Sequence, residues 1–158
     1  MAVNKNWARW IFASVSKHFK DTCVGLNFFA EGEDQKVQDF SDYIEFRMNG
    51  PTICESSGFY HLGIVANILV VSKFNKSSIH TIHKNVGIVE AAFTKCITVR
   101  RYGLLTEDSQ NDGSVLGVLQ LKPYDKKDVN TSHFGQVNPE IKEMQSTVEG
   151  YYCMLLES

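Results

Sequence analysis

Trp7, Trp10, Ile11, Val15 and Phe19, with His18 beside them, recur at three- and four-residue steps across residues 7–20. That period predicts an amphipathic helix with one buried stripe. Asn4 or Asn6 stands where an N-cap belongs. The two tryptophans form a broad aromatic face, of a kind that more often fills a core than serves as a binding platform. The period then drops to two. A short strand is expected over Val24-Gly25-Leu26-Asn27-Phe28-Phe29, followed by a polar loop at residues 31–36. From 42 to 48, Ile44, Phe46 and Met48 point one way and Tyr43, Glu45 and Arg47 the other, the alternation of a strand with one wet face. Asn49-Gly50-Pro51 carries a strong turn signal. Thr52-Ile53-Cys54-Glu55 then reads as the start of the return strand, with Ser56-Ser57-Gly58 as a break.

The segment 59–74 is the most strand-like part of the chain. Leu62, Ile64, Ala66, Ile68, Val70 and Phe74 share one face, while Val65, Leu69 and Val71 share the other with His61 and Asn67. Apolar side chains on both faces predict a central strand or one covered by a neighbouring subunit. Its length suggests a hairpin arm. A second helix follows, with Ile79, Ile82, Val86, Val89 and Phe93 forming its stripe and Ser77 or Ser78 as cap. Gly87 in its middle costs about 1 kcal/mol against alanine, which points to close packing there. Residues 96–102 and 115–121 read as a hairpin with a long tip at 104–114. The stretch 123–138 reads as irregular, and 144–156 as a last strand. Strands joined by short turns predict an α+β fold. Its mixed, mainly antiparallel sheet would carry the N-terminal helix and the second helix on one face.

Composition narrows the function classes. At 158 residues, 43% apolar and 22% charged, the chain suits one globular domain over residues 1–158. A domain of that size buries roughly 70% of its unfolded surface and needs no staples. Sixteen basic against 18 acidic side chains leave a formal charge of −2, so there is no overall attraction to nucleic acid or an anionic membrane. The longest apolar run, residues 64–71, is interrupted by Asn67 and is too short to cross a bilayer. Cys23, Cys54, Cys96 and Cys153 form no C-x-x-C pair, and Met1-Ala2-Val3-Asn4-Lys5-Asn6 lacks the apolar stretch of a secretory signal. Free, buried thiols in a soluble intracellular protein are expected.

Candidate chemistry is sparse. His80 and His83 stand three apart, on one face of the second helix. Two imidazoles can hold a metal, but a zinc site wants three or four ligands and no neighbour in sequence completes one. Asp108-Ser109-Gln110-Asn111-Asp112-Gly113 resembles the opening of a calcium loop, yet the twelfth position is Leu119, where a bidentate acid belongs. Arg100-Arg101-Tyr102 mixes basic and aromatic chemistry, but consecutive strand residues point to opposite faces. An intersubunit ion pair or a solvated sheet edge suits it better than a nucleic-acid groove. No P-loop, G-x-G-x-x-G or G-x-S-x-G occurs. No enzyme, metal or cofactor is expected.

The segments that carry a family resemblance lie toward the C-terminus. They are Val99-Arg100-Arg101-Tyr102-Gly103, Asp112-Gly113-Ser114, Leu119-Gln120-Leu121, Phe134-Gly135-Gln136-Val137-Asn138-Pro139 and Gln145-Ser146-Thr147-Val148-Glu149-Gly150-Tyr151-Tyr152. Taken with the order of elements, they resemble the tail-terminator or tail-completion proteins of tailed bacteriophages. The resemblance is one of order and texture over most of the chain, and 104–114 and 123–138 depart from it. It implies a structural virion protein, assembled in the host cytoplasm, that forms a homo-oligomeric and usually hexameric ring. Such a ring joins the tail tube to the head-side connector, and DNA passes its lumen without specific binding. Arg47, Tyr60, Phe74, Arg100, Arg101 and Tyr102 are the expected subunit contacts, and Glu31, Glu33 and Asp34 the expected lumen loop. Three other readings compete: an adjacent neck adaptor, a small peptide- or ligand-binding module, and an enzyme whose site is completed between subunits.

Overall fold

The computed structural model describes residues 5–31, 40–73, 78–102, 113–123, 128–138, 140 and 143–157. Helix α1 (Trp7–Thr22) is followed by strands β1 (Phe28–Ala30), β2 (Asp42–Ser56) and β3 (Phe59–Ser72). Helix α2 (Ser78–Ala92) leads into β4 (Cys96–Arg100), β5 (Val115–Lys122), β6 (Asn130–Asn138) and β7 (Glu143–Glu157). The fold is α+β. Its sheet runs β1-β2-β3-β7-β5-β4, with β6 also paired to β7. β1 and β2 are parallel, and the other pairs are antiparallel. One side of β7 is shared: β6 takes residues 143–149 and β5 takes 151–153.

Both helices pack on one face of this sheet. β3 contributes Leu62, Ile64, Ala66, Ile68 and Val70 to that side, and β7 contributes Val148, Tyr152 and Met154. They join Trp10, Ile11, Val15 and Phe19 of α1 and Ile82, Val86 and Val89 of α2 in one buried cluster. Each fully buried large aliphatic or aromatic side chain here contributes roughly 1.5–3 kcal/mol of transfer free energy. Tyr152 is wholly buried and satisfies its hydroxyl by donating to the Thr94 carbonyl at 2.7 Å. Asn6 occupies the N-cap of α1 without a side-chain capping bond.

The structure corrects several expectations. Asn49-Gly50-Pro51 is not a turn. β2 runs through it with a register shift between Asn49 and Thr52, and the chain reverses at Ser57 and Gly58, where φ is 49° and 82°. Glycine and proline serve a bulge on an edge strand as readily as a turn. Gly50 takes φ 107°, and Pro51 needs no ladder donor there. Thr52-Ile53-Cys54-Glu55 therefore continues the strand begun at Asp42. The supposedly wet face of β2 is partly dry, because Tyr43 is buried with Leu69 and Val71 against Phe29 and Phe40. β3 pairs with β7 from Phe59 to Ser72, so it is no free arm. Ile79 is 49% exposed, and Gly87 faces open space instead of a close neighbour. A strand, β6, occupies much of the stretch expected to be irregular. Cys54 and Cys96 are exposed, while Cys23 and Cys153 are buried. Phe74 lies outside the described residues.

Candidate functional site

Opposite the helices, the sheet presents a face that no described helix covers. Strand register sets Arg47, Asn67, Glu149 and Asn130 side by side across β2, β3, β7 and β6. Arg47 Nε donates to Glu45 Oε1 at 3.0 Å, and Asn67 Nδ2 donates to Glu149 Oε2 at 3.3 Å. This polar row divides two apolar regions. On one side lies the Tyr43, Leu69 and Val71 cluster, where burial, then Glu143 and Glu45, raise the Tyr43 phenol above its ordinary range. On the other, alternation places Phe59, Val65, Tyr151, Leu155 and Val118 on the same face. Phe59 is 44% exposed, Val118 42% and Leu155 66%. Three large apolar side chains grouped on one open face are the kind of patch that marks an interaction surface. The Tyr151 ring lies across Gly63, in space that a Cβ would fill.

The two sheet edges differ. β1 pairs only with Ile44, Glu45 and Phe46, so the rest of β2 has no strand on its outer side among the described residues. At the β4 edge, α1 reaches the backbone of Arg100. Arg100 N donates to Ser14 Oγ at 2.9 Å, and that hydroxyl donates to the Arg100 carbonyl at 3.3 Å.

The expected contact residues are dispersed by this geometry. Arg47 is half-buried within the polar row. Tyr60 is only 8% exposed, so it belongs largely to the interior of its own chain. Arg100 is exposed and donates to the Gly113 carbonyl at 3.2 Å. Arg101 stacks on Trp10 at 5.6 Å, a cation–π contact inside the subunit. Tyr102 is half-buried beside α1. Glu31 is exposed, and its N–H donates to the Phe46 carbonyl at 2.8 Å. Glu33, Asp34 and Asp108 to Asp112 lie outside the described residues.

A shallow open cavity of about 250 Å³ lies between α1 and β4, lined by Lys17, His18, Asp21, Cys96, Thr98 and Tyr102. His18 Nε2 lies 2.8 Å from the Ala92 carbonyl, which only accepts, so that nitrogen carries the proton. Lys17 bonds Asp21 at 2.8 Å, and that bond raises its pKa. The cavity is smaller than the ~300–1,000 Å³ of typical ligand pockets. His80 and His83 are both exposed on α2. Among the described residues, no group of three or more His, Cys, Asp or Glu side chains could hold a metal ion, and no helix is long and apolar enough to cross a membrane.

The apolar end of the uncovered face escaped sequence reasoning, although β7 carries its signal. Gln145, Thr147 and Glu149 give way at the same alternate positions to Tyr151, Cys153 and Leu155. That shift makes the C-terminal half of the strand apolar on both faces. No protein-family model matches the chain, and comparison with curated proteins finds no significant match either.

Proposed function

We propose that this protein is a structural assembly component whose copies meet through the uncovered sheet face and close into a ring. The specific reading is a phage tail terminator that joins the tail tube to the head-side connector. The observation that carries the reading is the grouping of exposed Phe59, Val118 and Leu155 on a face the two helices leave open. Contact between copies removes these side chains from water. The adjacent polar row, Arg47 with Glu45 and Asn67 with Glu149, fixes orientation more than it adds affinity. A ring needs heterologous contacts that close by rotation, and the unlike edges of this sheet supply two distinct surfaces. Exposed Glu31 begins the polar segment assigned to the lumen with Glu33 and Asp34. Acidic side chains there let DNA pass without adhering.

The test is electron microscopy of the purified chain, alone and with a tail-tube protein, alongside a DNA gel-shift. Rings of about six copies with an open centre are expected, with no retardation of duplex DNA. Particles no larger than single chains in both samples overturn the ring.

A further inference from the structure

His83 and His133 are far apart in sequence, yet their ring centroids lie 4.8 Å apart with planes at 63°. His83 is on the exposed side of α2, and His133 lies in β6, where register sets it opposite Ser146 of β7. His133 Nδ1 lies 2.6 Å from Ser146 Oγ. Ser146 is 1% exposed, so this hydroxyl is a fixed anchor for the ring.

We propose that His83 and His133 form a two-imidazole site for a divalent transition-metal ion of the zinc, nickel or copper class, clasping β6 to α2. A metal–nitrogen bond of about 2.0–2.1 Å puts each ring centroid about 3.2 Å from the ion. Centroids 4.8 Å apart then subtend roughly 95–100° at the metal, between the square-planar and tetrahedral angles. The Ser146 hydroxyl occupies Nδ1 of His133 and leaves Nε2 as the ligand nitrogen, which is the job of an outer partner at a metal-binding histidine. The frame exists without the ion, because Thr131 Oγ1 of β6 donates to Glu90 Oε1 of α2 at 3.0 Å. Two protein ligands leave the remaining positions to water, so the site is open and exchangeable, unlike a closed structural zinc site. The site lies on the helix side of the sheet and does not depend on the assembly reading.

The probe is zinc chloride titrated calorimetrically into the purified chain, compared with His83→Ala, His133→Ala, His80→Ala and Ser146→Ala. One ion per chain is expected. Loss of either His83 or His133 weakens binding at least tenfold, and Ser146→Ala weakens it about tenfold by freeing the ring. His80→Ala leaves binding unchanged. Zinc raises the melting temperature of wild type but of neither His83→Ala nor His133→Ala, and acidification releases the metal because the ligands must be neutral. Both histidines are exposed, so these variants keep their fold, as melting in a chelator checks. Even if Ser146→Ala unfolds, the histidine variants decide. Absence of saturable binding overturns the proposal. So does binding that is lost in His80→Ala and kept in His133→Ala, which places the ligands on α2 alone.

Discussion

Ser14 and Arg100 exchange two hydrogen bonds across 86 residues of sequence, the hydroxyl accepting at 2.9 Å and donating at 3.3 Å. One buried serine on α1 thereby gives the Arg100 N–H at the end of β4 its partner and adds a second donor to the Arg100 carbonyl, which also accepts from the Tyr102 N–H. Ser14→Ala removes both bonds and takes its partner from the part-buried Arg100 N–H, while the Arg100 carbonyl still accepts from the Tyr102 N–H at 2.9 Å. A loss of about 1–2 kcal/mol is expected, read as a lower urea midpoint at unchanged slope. A midpoint equal to wild type would show that the edge is satisfied by other means.

Glycine positions give a contrast in sign. A Cβ at Gly87 meets nothing within 4 Å, so Gly87→Ala gains helix propensity and stabilises by about 0.5–1 kcal/mol. A Cβ at Gly150 falls 2.9 Å from Phe93 Cδ1 and 3.1 Å from Leu121 Cδ1. Gly150→Ala overpacks this part of the core and is expected to cost about 1–3 kcal/mol. Thermal denaturation separates the two. Equal effects would contradict the packing described for α2 and β7.

Stability should fall at alkaline pH. Burial pushes the Cys23 thiol up from 9.0 to about 11, against a weaker opposing hydrogen bond with Thr22. Burial likewise raises Tyr152. A raised folded-state pKa means the unfolded chain ionises first, so the contribution is intact below about pH 9 and lost as pH climbs toward 11. Two units correspond to about 2–3 kcal/mol. Urea midpoints measured across this window should decline, with a shallower decline in Cys23→Ala. Identical slopes in both proteins would remove Cys23 from the explanation.

Much of this architecture can be read from the sequence because two periods dominate it. The stripe of α1, that of α2 from Ile82 onward and the doubly apolar β3 follow from where their aromatic residues, isoleucines, leucines and valines fall. The reversal of the β2–β3 hairpin does not. Asn49-Gly50-Pro51 and Ser57-Gly58 both carry turn chemistry, and only the pairing of Ile44 with Val70 and Phe46 with Ile68 selects the second. β6 was hidden because Asn130, Thr131, Ser132 and His133 are polar and are held by register with β7. The candidate site was less legible than the fold. Tyr60 and Arg101 look like surface residues in sequence, yet one is buried and the other stacks on Trp10. The meeting of His83 with His133 is a tertiary contact that local spacing cannot encode.

The central claim, that copies associate through the uncovered face, is tested most directly by native mass measurement of wild type against Leu155→Lys. Leu155 is 66% exposed in the single chain, so a lysine there leaves the fold intact. Wild type is expected to give a closed oligomer of about six copies, and Leu155→Lys single chains with an unchanged melting profile. Wild type that stays a single chain at every concentration, both alone and with a tail-tube protein, or a variant that keeps the same oligomer, would contradict the account.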